Sequence, residues 1–348
     1  MTAAAMIDID GSHGEGGGQL LRTAVALSVI SGHPLRIVNI RARRDKPGLA
    51  PQHLTAVKAL AELCGAAVEG LAPKSLQVAF RPGPVRAGAY EFDVGTAGSI
   101  ALVLQALLPV AIASGEAFSF HIRGGTDVRG APPMDYLRYV LLPLLARMGA
   151  GVRVDMLRRG YYPRGGGEVR VEIPPCHALR PLVLDTQGTL RAIRGYVHIA
   201  NLPEHIALRM AQAARAALET PVAAHIAHTV LSRDEAIGMG GGILLTACCE
   251  HTTLGASALA ARGVPAERLG EAAARELDAL LASGATLDLH AADQLLVYLA
   301  LADGPSRFHA QALSSHAETA LWLIRQFLPM RARITPEEKR VQIEVAPR

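Results

Sequence analysis

Lysine is nearly missing from this chain. It occurs only at Lys46, Lys58, Lys74 and Lys339, so 31 of the 35 basic residues are arginine. Gly-Lys never occurs, which excludes a Walker-type phosphate loop. None of the four lysines heads a Lys-x-Asp-Gly pattern, so a lysine-linked nucleotide of that type is excluded too. The bias itself is what codon usage in a GC-rich genome produces. Cysteine is also scarce. Cys64, Cys176, Cys248 and Cys249 show no Cys-x-x-Cys spacing, which argues against a zinc ribbon or a disulfide framework and suits a reducing, cytoplasmic setting. Met1 to Gly11 lacks the basic region and apolar core of a secretion signal. The best apolar run, Ile100 to Ala113, contains Gln105 and Pro109 and is too short to span a bilayer, so no membrane role is expected.

What is present is enough for a large core. Half of the 348 residues are apolar and 19% are charged, which rules out a disordered chain. A net charge of +4 is only mildly basic and does not by itself imply nucleic acid. At roughly 150 residues per domain, two domains are expected.

The order of elements repeats. A helix over about 19–30 turns at Ser31-Gly32 into a strand over 35–40. A helix over about 97–113 turns at Ser114-Gly115 into a strand over 117–122, and one over about 291–302 turns at Asp303-Gly304 into a strand over 307–310. Glycine just past a helix is the expected stop. A second helix follows each strand, over about 52–64, 134–148 and 318–327, and then two strand-like segments. The first two of these helices end in matching text, Cys64-Gly-Ala-Ala-Val68 and Met148-Gly-Ala-Gly-Val152. Gly32 to Gly115 is 83 residues and Gly65 to Gly149 is 84, so two independent landmarks give the same period. From Gly115 to Gly304 is 189, which leaves about 105 residues inserted.

The predicted fold is therefore α/β (α+β). Three β-α-β-α-β-β units make a large domain, residues 1–180 and 286–348. A smaller α/β domain, 181–285, is inserted before the third unit, with strands over 192–200, 223–229 and 242–249 and helices over 203–218 and 265–283.

Repetition places three loops at equivalent positions, each directly before a helix: Arg41 to Pro51, Arg123 to Pro133, and Ala312 to His316. Helix N-termini offer free N–H groups and a positive dipole end, which suit phosphate. The first loop carries Arg41, Arg43, Arg44 and Lys46, with Arg36 upstream. Guanidinium forks bind phosphate oxygens in pairs. A solvated charge run is the alternative, but only Asp45 offsets these charges, and Pro47-Gly48 marks a loop rather than a helix face.

Gly14-Glu-Gly-Gly-Gly18 sets a carboxylate, Glu15, among glycines that permit close backbone approach. It reads either as a hard-metal ligand or as a flexible turn. Gly165 to Gly167 reads as a hairpin turn, and Gly240 to Gly242 has no assigned role. Of the 13 histidines, His316 stands out because it follows Ser314-Ser315 in the third loop. A helix start favours the neutral, nucleophilic form of an imidazole. Asp293 and Gln294 could orient it or bind a ligand, or Asp293 could simply cap its helix.

These segments resemble the RNA 3'-terminal phosphate cyclase family. The matching text includes Gly14 to Gln19 with Arg22, Arg41 to Leu49, Gln52 to Val57, Gly95 to Ser99 with Gln105, Gly124 to Asp127 with Ala131 to Pro133, Tyr161 to Gly167, Ala292 to Leu295, and the block around His316. The matches run in order through nearly all of the chain outside the insert, and the family's repeated units with one inserted domain agree with the repeat above. The resemblance implies an ATP-dependent enzyme that turns an RNA 3'-phosphate into a 2',3'-cyclic phosphodiester through a histidyl-AMP and an RNA-adenylate. It implies His316 as the adenylated nucleophile and Glu15 as the contact to Mg²⁺ or Mn²⁺. It places Gln105, His290, Ala291, Ala292, Asp293 and Gln294 at ATP, with Pro132 and Tyr136 beside the adenine. Arg22, Arg41, Arg44 and Gln52 would meet phosphates. Two positions depart from the family pattern: Ala320 stands after Thr319 where asparagine is usual, and His290 stands where tyrosine is frequent.

The resemblance also bears on the alternatives. Cyclase-like binding factors of ribosome assembly share the fold but lack the nucleophile, and here His316, Glu15 and the arginine loop are all retained. Enolpyruvyl transferases use related units but have no use for a histidine nucleophile. The partners implied are ATP and RNA bearing a 3'-phosphate. The insert is free to bind RNA, to form a homodimer or only to pack. With 14 aromatic residues and no basic stripe interleaved with them, recognition of a chain end is expected rather than of a long tract.

Overall fold

The computed structural model describes residues 5–347. β1 (Ile7–Asp10), α1 (Gly18–Ser31), β2 (Leu35–Val38), α2 (Pro51–Cys64), β3 (Ala67–Glu69) and β4 (Val78–Arg81) come first. The same order returns as β5 (Gly88–Asp93), α3 (Ile100–Ala113), β6 (Phe118–Gly124), a broken helix, β7 (Arg153–Gly160) and β8 (Gly167–Ile173). The broken helix consists of α4 (Met134–Tyr136), a π-helical turn (Leu137–Leu141) and α5 (Leu142–Arg147). Next come β9 (Leu190–Ala200), α6 (His205–Ala217), β10 (Ala224–Leu231), β11 (Ala236–Ile237), β12 (Gly240–Cys249), β13 (Thr253–Leu259) and α7 (Ala266–Ser283). The chain ends with α8 (Leu289–Ala300), β14 (Ser306–Ala310), α9 (Ser315–Phe327), β15 (Met330–Pro336) and β16 (Val341–Pro347).

The first sheet runs β1-β2-β4-β3, with β1 and β2 parallel. The second runs β5-β6-β8-β7 with β11 added beyond β7, and the last runs β14-β16-β15. The place of β1 in this last sheet is taken by residues 179–185. Leu179 and Val183 bridge in parallel to Ala302 and Arg307. Arg307 grips Asp185 with two bonds of 2.6 and 3.0 Å, as Arg36 grips Asp8 at 2.6 and 3.0 Å in the first sheet. Residues 181–185, assigned above to the insert, therefore run beside β14. The chain leaves for the small sheet only after Asp185.

The small sheet, β10-β9-β12-β13, carries α6 and α7 on one face, and their apolar sides close a core of their own. The other sheets lie around a helical layer in which α1, α3 and α8 pack together. α3 is the centre of that layer. Apart from Gln105 and Ala113 it is buried throughout, which explains the long apolar run. Among the described residues no helix is long and apolar enough to cross a membrane.

A buried ion cluster ties the small sheet to the large body. Arg159 on β7 donates from Nη1 to Asp127 at 3.0 and 3.2 Å and from Nη2 to Asp135 at 2.6 and 2.8 Å. His198 of β9 sets Nε2 3.4 Å from Asp127, and its Nδ1 lies 2.7 Å from the Tyr161 hydroxyl. Burial alone would raise the Asp127 pKa, but Arg159 and then His198 hold it well below the ordinary range. Gly240 also gains a reason, since a Cβ there would sit 2.1 Å from the Tyr161 ring.

Candidate active site

A cavity of about 880 Å³ opens between the helical layer and the small sheet. The first turns of α1, α2, α8 and α9 reach it through Gly18, Gln52, His290 and His316. Four arginines line it (Arg22, Arg41, Arg44 and Arg129) against two carboxylates, Glu15 and Asp293. Positive helix ends and excess guanidinium groups make an anion site.

The glycine loop is clamped along α9. His13 stacks on Trp322 with centroids 3.7 Å apart. A Cβ on Gly14 would lie 2.3 Å from Thr319 Oγ1, and Glu15 Oε2 lies 2.5 Å from His316 Nδ1. Positions 316, 319 and 322 are three apart and so share a helix face, and three consecutive loop residues meet them. The Glu15–His316 contact is close but not aligned as a hydrogen bond, and Oε2 is buried without a donor. The other Glu15 oxygen accepts from Arg44. His316 Nε2 has no protein partner among the described residues.

Sequence placed His316 in a loop before its helix. The structure starts α9 a turn earlier, with Ser314 as N-cap accepting from Ala317 N at 2.9 Å. The same hydroxyl donates to Asp293 Oδ1. Burial raises the Asp293 pKa, and Ser314 and His316 partly offset that.

Arg22 is 5% exposed, and its only side-chain partner among the described residues is Gln105 Oε1, which accepts from Nη2 at 3.3 Å. Its Nε is buried without an acceptor, and burial pushes its pKa down to about 10. A buried guanidinium with no carboxylate beside it is costly unless an anion arrives. Arg41 is held open by donating to the Gly48 carbonyl at 2.7 Å. Gln52 accepts from Ser99 N at 3.3 Å, which joins the first and second units at the cavity.

Eleven of the residues predicted for the site line this cavity: Glu15, Arg22, Arg41, Arg44, Gln52, Gln105, Pro132, His290, Asp293, Gln294 and His316. Three do not. Ala291 and Ala292 are buried in the core, because on α8 residues 290, 293 and 294 share one face and the two between them turn inward. Tyr136 is 1% exposed and lies under the site. Its hydroxyl donates to Asp288 Oδ1 at 2.5 Å, and its ring meets His290 edge-on at 5.7 Å. Asp288 caps α8 and also accepts from Gly255 N of β13 at 3.0 Å. Ala320 is buried as well and borders a small space of about 30 Å³ beneath Gln105 and Asp293.

Sequence reasoning missed His53 and the small-sheet wall. His53 Nδ1 accepts from Ala50 N at 3.1 Å, so Nε2 carries the proton. Burial, then Arg22 and Arg41, push its pKa down to about 3, so it is a neutral donor at the cavity edge. A Cβ on Gly18 would lie 2.0 Å from that Nε2. Its cue in the sequence was its place in the turn that opens α2. The opposite wall comes from Ser257 and Leu259 of β13 and from Ala261 and Val264.

The fold and this cavity define a mixed α/β protein with a basic anion site and a histidine–glutamate pair at its floor. The profile of the RNA 3'-terminal phosphate cyclase family matches residues 13–334. An RNA 3'-terminal phosphate cyclase of Nitrosospira multiformis is 58% identical over 342 residues, covering 98% of this chain and 97% of its own. Those of Caldivirga maquilingensis and Methanopyrus kandleri are 45% and 44% identical, each over 349 residues; the coverage is 98% of both chains for the first and 99% of both for the second. The chain belongs to the RNA 3'-terminal phosphate cyclase family.

Proposed function

We propose that the protein converts an RNA 3'-terminal phosphate to a 2',3'-cyclic phosphodiester at the expense of ATP, with His316 as a transient carrier of AMP. The observation that carries this reading is the pairing of His316 Nδ1 with Glu15 at 2.5 Å, which leaves Nε2 free in a cavity lined by four arginines. The negative charge of Glu15 beside Nδ1 favours the proton on that nitrogen and the lone pair on Nε2.

The steps balance as follows. Nε2 attacks the α-phosphorus of ATP, an N–P bond forms, the bond to the bridging oxygen breaks and pyrophosphate leaves. The positive charge that develops on the imidazole faces Glu15. An oxygen of the RNA 3'-phosphate then attacks the same phosphorus. The N–P bond breaks, neutral histidine returns, and the RNA end is a mixed anhydride with AMP. The adjacent 2'-hydroxyl attacks the terminal RNA phosphorus, loses its proton and expels AMP. Activation is needed because a phosphomonoester offers no adequate leaving group.

Arg22, Arg41 and Arg44 suit the oxygens of the phosphates, and His53 adds a neutral donor. The first turn of α8 suits the nucleoside, with His290 propped by Tyr136. Among the described residues no cluster of three or more His, Cys, Asp or Glu could cage a metal. The orphaned Glu15 Oε2 fits one bond to Mg²⁺ or Mn²⁺ that arrives with the triphosphate. Such a cation would neutralise charge on the phosphates.

The test is covalent labelling. Incubation with ATP labelled at the α-phosphate, followed by denaturation, should leave label on the protein that acid removes and alkali spares. Label that persists in His316→Ala sinks the assignment. Absence of label on the wild-type protein favours a binding factor instead.

A further inference from the structure

One exposed feature remains unused by the chemistry above. Tyr162 is the only aromatic side chain among the strongly exposed apolar residues described, at 76%, and Met239 is next at 68%. Both belong to loops that touch. Tyr161 N donates to the Ile237 carbonyl at 3.2 Å, and Gly238 lies against the Tyr161 carbonyl. Met239 lies between β11 of the second sheet and β12 of the small sheet, so two strongly exposed apolar side chains stand on adjoining loops and offer a contact surface.

The position says which partner. Gly165, at φ +65°, seats the Tyr162 loop against the 96–97 turn, where a Cβ would lie 2.6 Å from the Thr96 carbonyl. The 96–99 turn leads to Ser99, whose N–H is held by Gln52 of the cavity. Tyr161 also bridges to Asp127, two residues before Arg129 of the cavity wall. Arg164 is exposed and has no carboxylate within 4 Å among the described residues. An exposed aromatic face with a free guanidinium two residues away is what single-stranded nucleic acid uses for stacking and backbone contact.

We propose that Tyr162, Met239 and Arg164 form a shelf that stacks and holds nucleotides upstream of the RNA 3' end. This rests on the cyclase reading. It predicts that length of RNA, not chemistry at the terminus, is what the shelf senses.

The probes are a 3'-phosphorylated RNA of about ten nucleotides and a dinucleotide 3'-phosphate, since single-strand sites span about 4–16 nucleotides. Tyr162→Ala should weaken binding of the longer RNA, read by fluorescence anisotropy, and raise its KM by about tenfold. It should leave the KM of the dinucleotide and the labelling of His316 by ATP unchanged. Tyr162→Phe should behave as wild type. Arg164→Ala should flatten the dependence of log K on log salt by about 0.7. Equal binding of the longer RNA by wild type and Tyr162→Ala overturns the shelf, as does an equal rise in KM for both substrates. Failure of wild-type labelling would instead overturn the cyclase chemistry, and the anisotropy measurement would still decide the shelf.

Discussion

Arg22 shows how one residue can declare a ligand. Its guanidinium is buried, and among the described residues its Nε has no acceptor and its only partner is an amide oxygen. A residue kept for stability would have a carboxylate beside it. Arg22→Met keeps most of the packing volume and removes the uncompensated charge. Thermal unfolding of this variant should therefore occur at the wild-type temperature or above. Adenylation of the protein by ATP should fall by roughly 10²–10³, the loss typical when one preorganised donor to a developing anion is removed. A variant that is destabilised and still active would contradict this account. His53 makes the complementary point. It remains neutral because it is buried, with Arg22 and Arg41 adding to the effect, so the cluster gathers donors without adding a fifth charge.

At the scale of elements, the site is an assembly of helix beginnings. Ser314 serves two of them, capping α9 and donating to Asp293 of α8. Ser314→Ala should cost about 1 kcal/mol in denaturant unfolding, as the loss of an N-cap does. It should also raise the KM for ATP, because Asp293 loses its nearest donor. Unchanged nucleotide kinetics would reduce Ser314 to a cap alone. Much of this assembly was legible in the sequence. The glycine stops gave the period, and the loops before the helices gave Glu15, the arginines and His316. What was not legible follows from geometry. Five consecutive residues, His290 to Gln294, form one matching stretch in the sequence, yet a helix can turn only 290, 293 and 294 to the same side. The β13 strand escaped notice because Thr253–Leu259 is a run of small and apolar residues without clear alternation. Its glycine is explained only in three dimensions, where a Cβ on Gly255 would press on Val140 and Tyr136.

At the scale of the molecule, two bodies share one cavity and are joined by the cluster of Arg159, Asp127, Asp135 and His198. Arg159→Met would take from two buried carboxylates the guanidinium that bonds both. We expect a loss of about 3–5 kcal/mol in urea unfolding, with part restored when Asp127→Asn and Asp135→Asn are added. No loss would mean that the junction rests on packing alone. The paired grips of Asp8 by Arg36 and Asp185 by Arg307 carry a different consequence. They match in space but span 28 and 122 residues of chain. By chain statistics alone, closing the longer span costs about 1.3 kcal/mol more. The small body has its own core, and Thr286, just beyond it, donates to the Leu184 carbonyl at 3.0 Å. Once that body has formed, the long excursion begins and ends at neighbouring points. To the third unit it is then a short loop, and the entropy of a hundred residues has already been spent inside another fold.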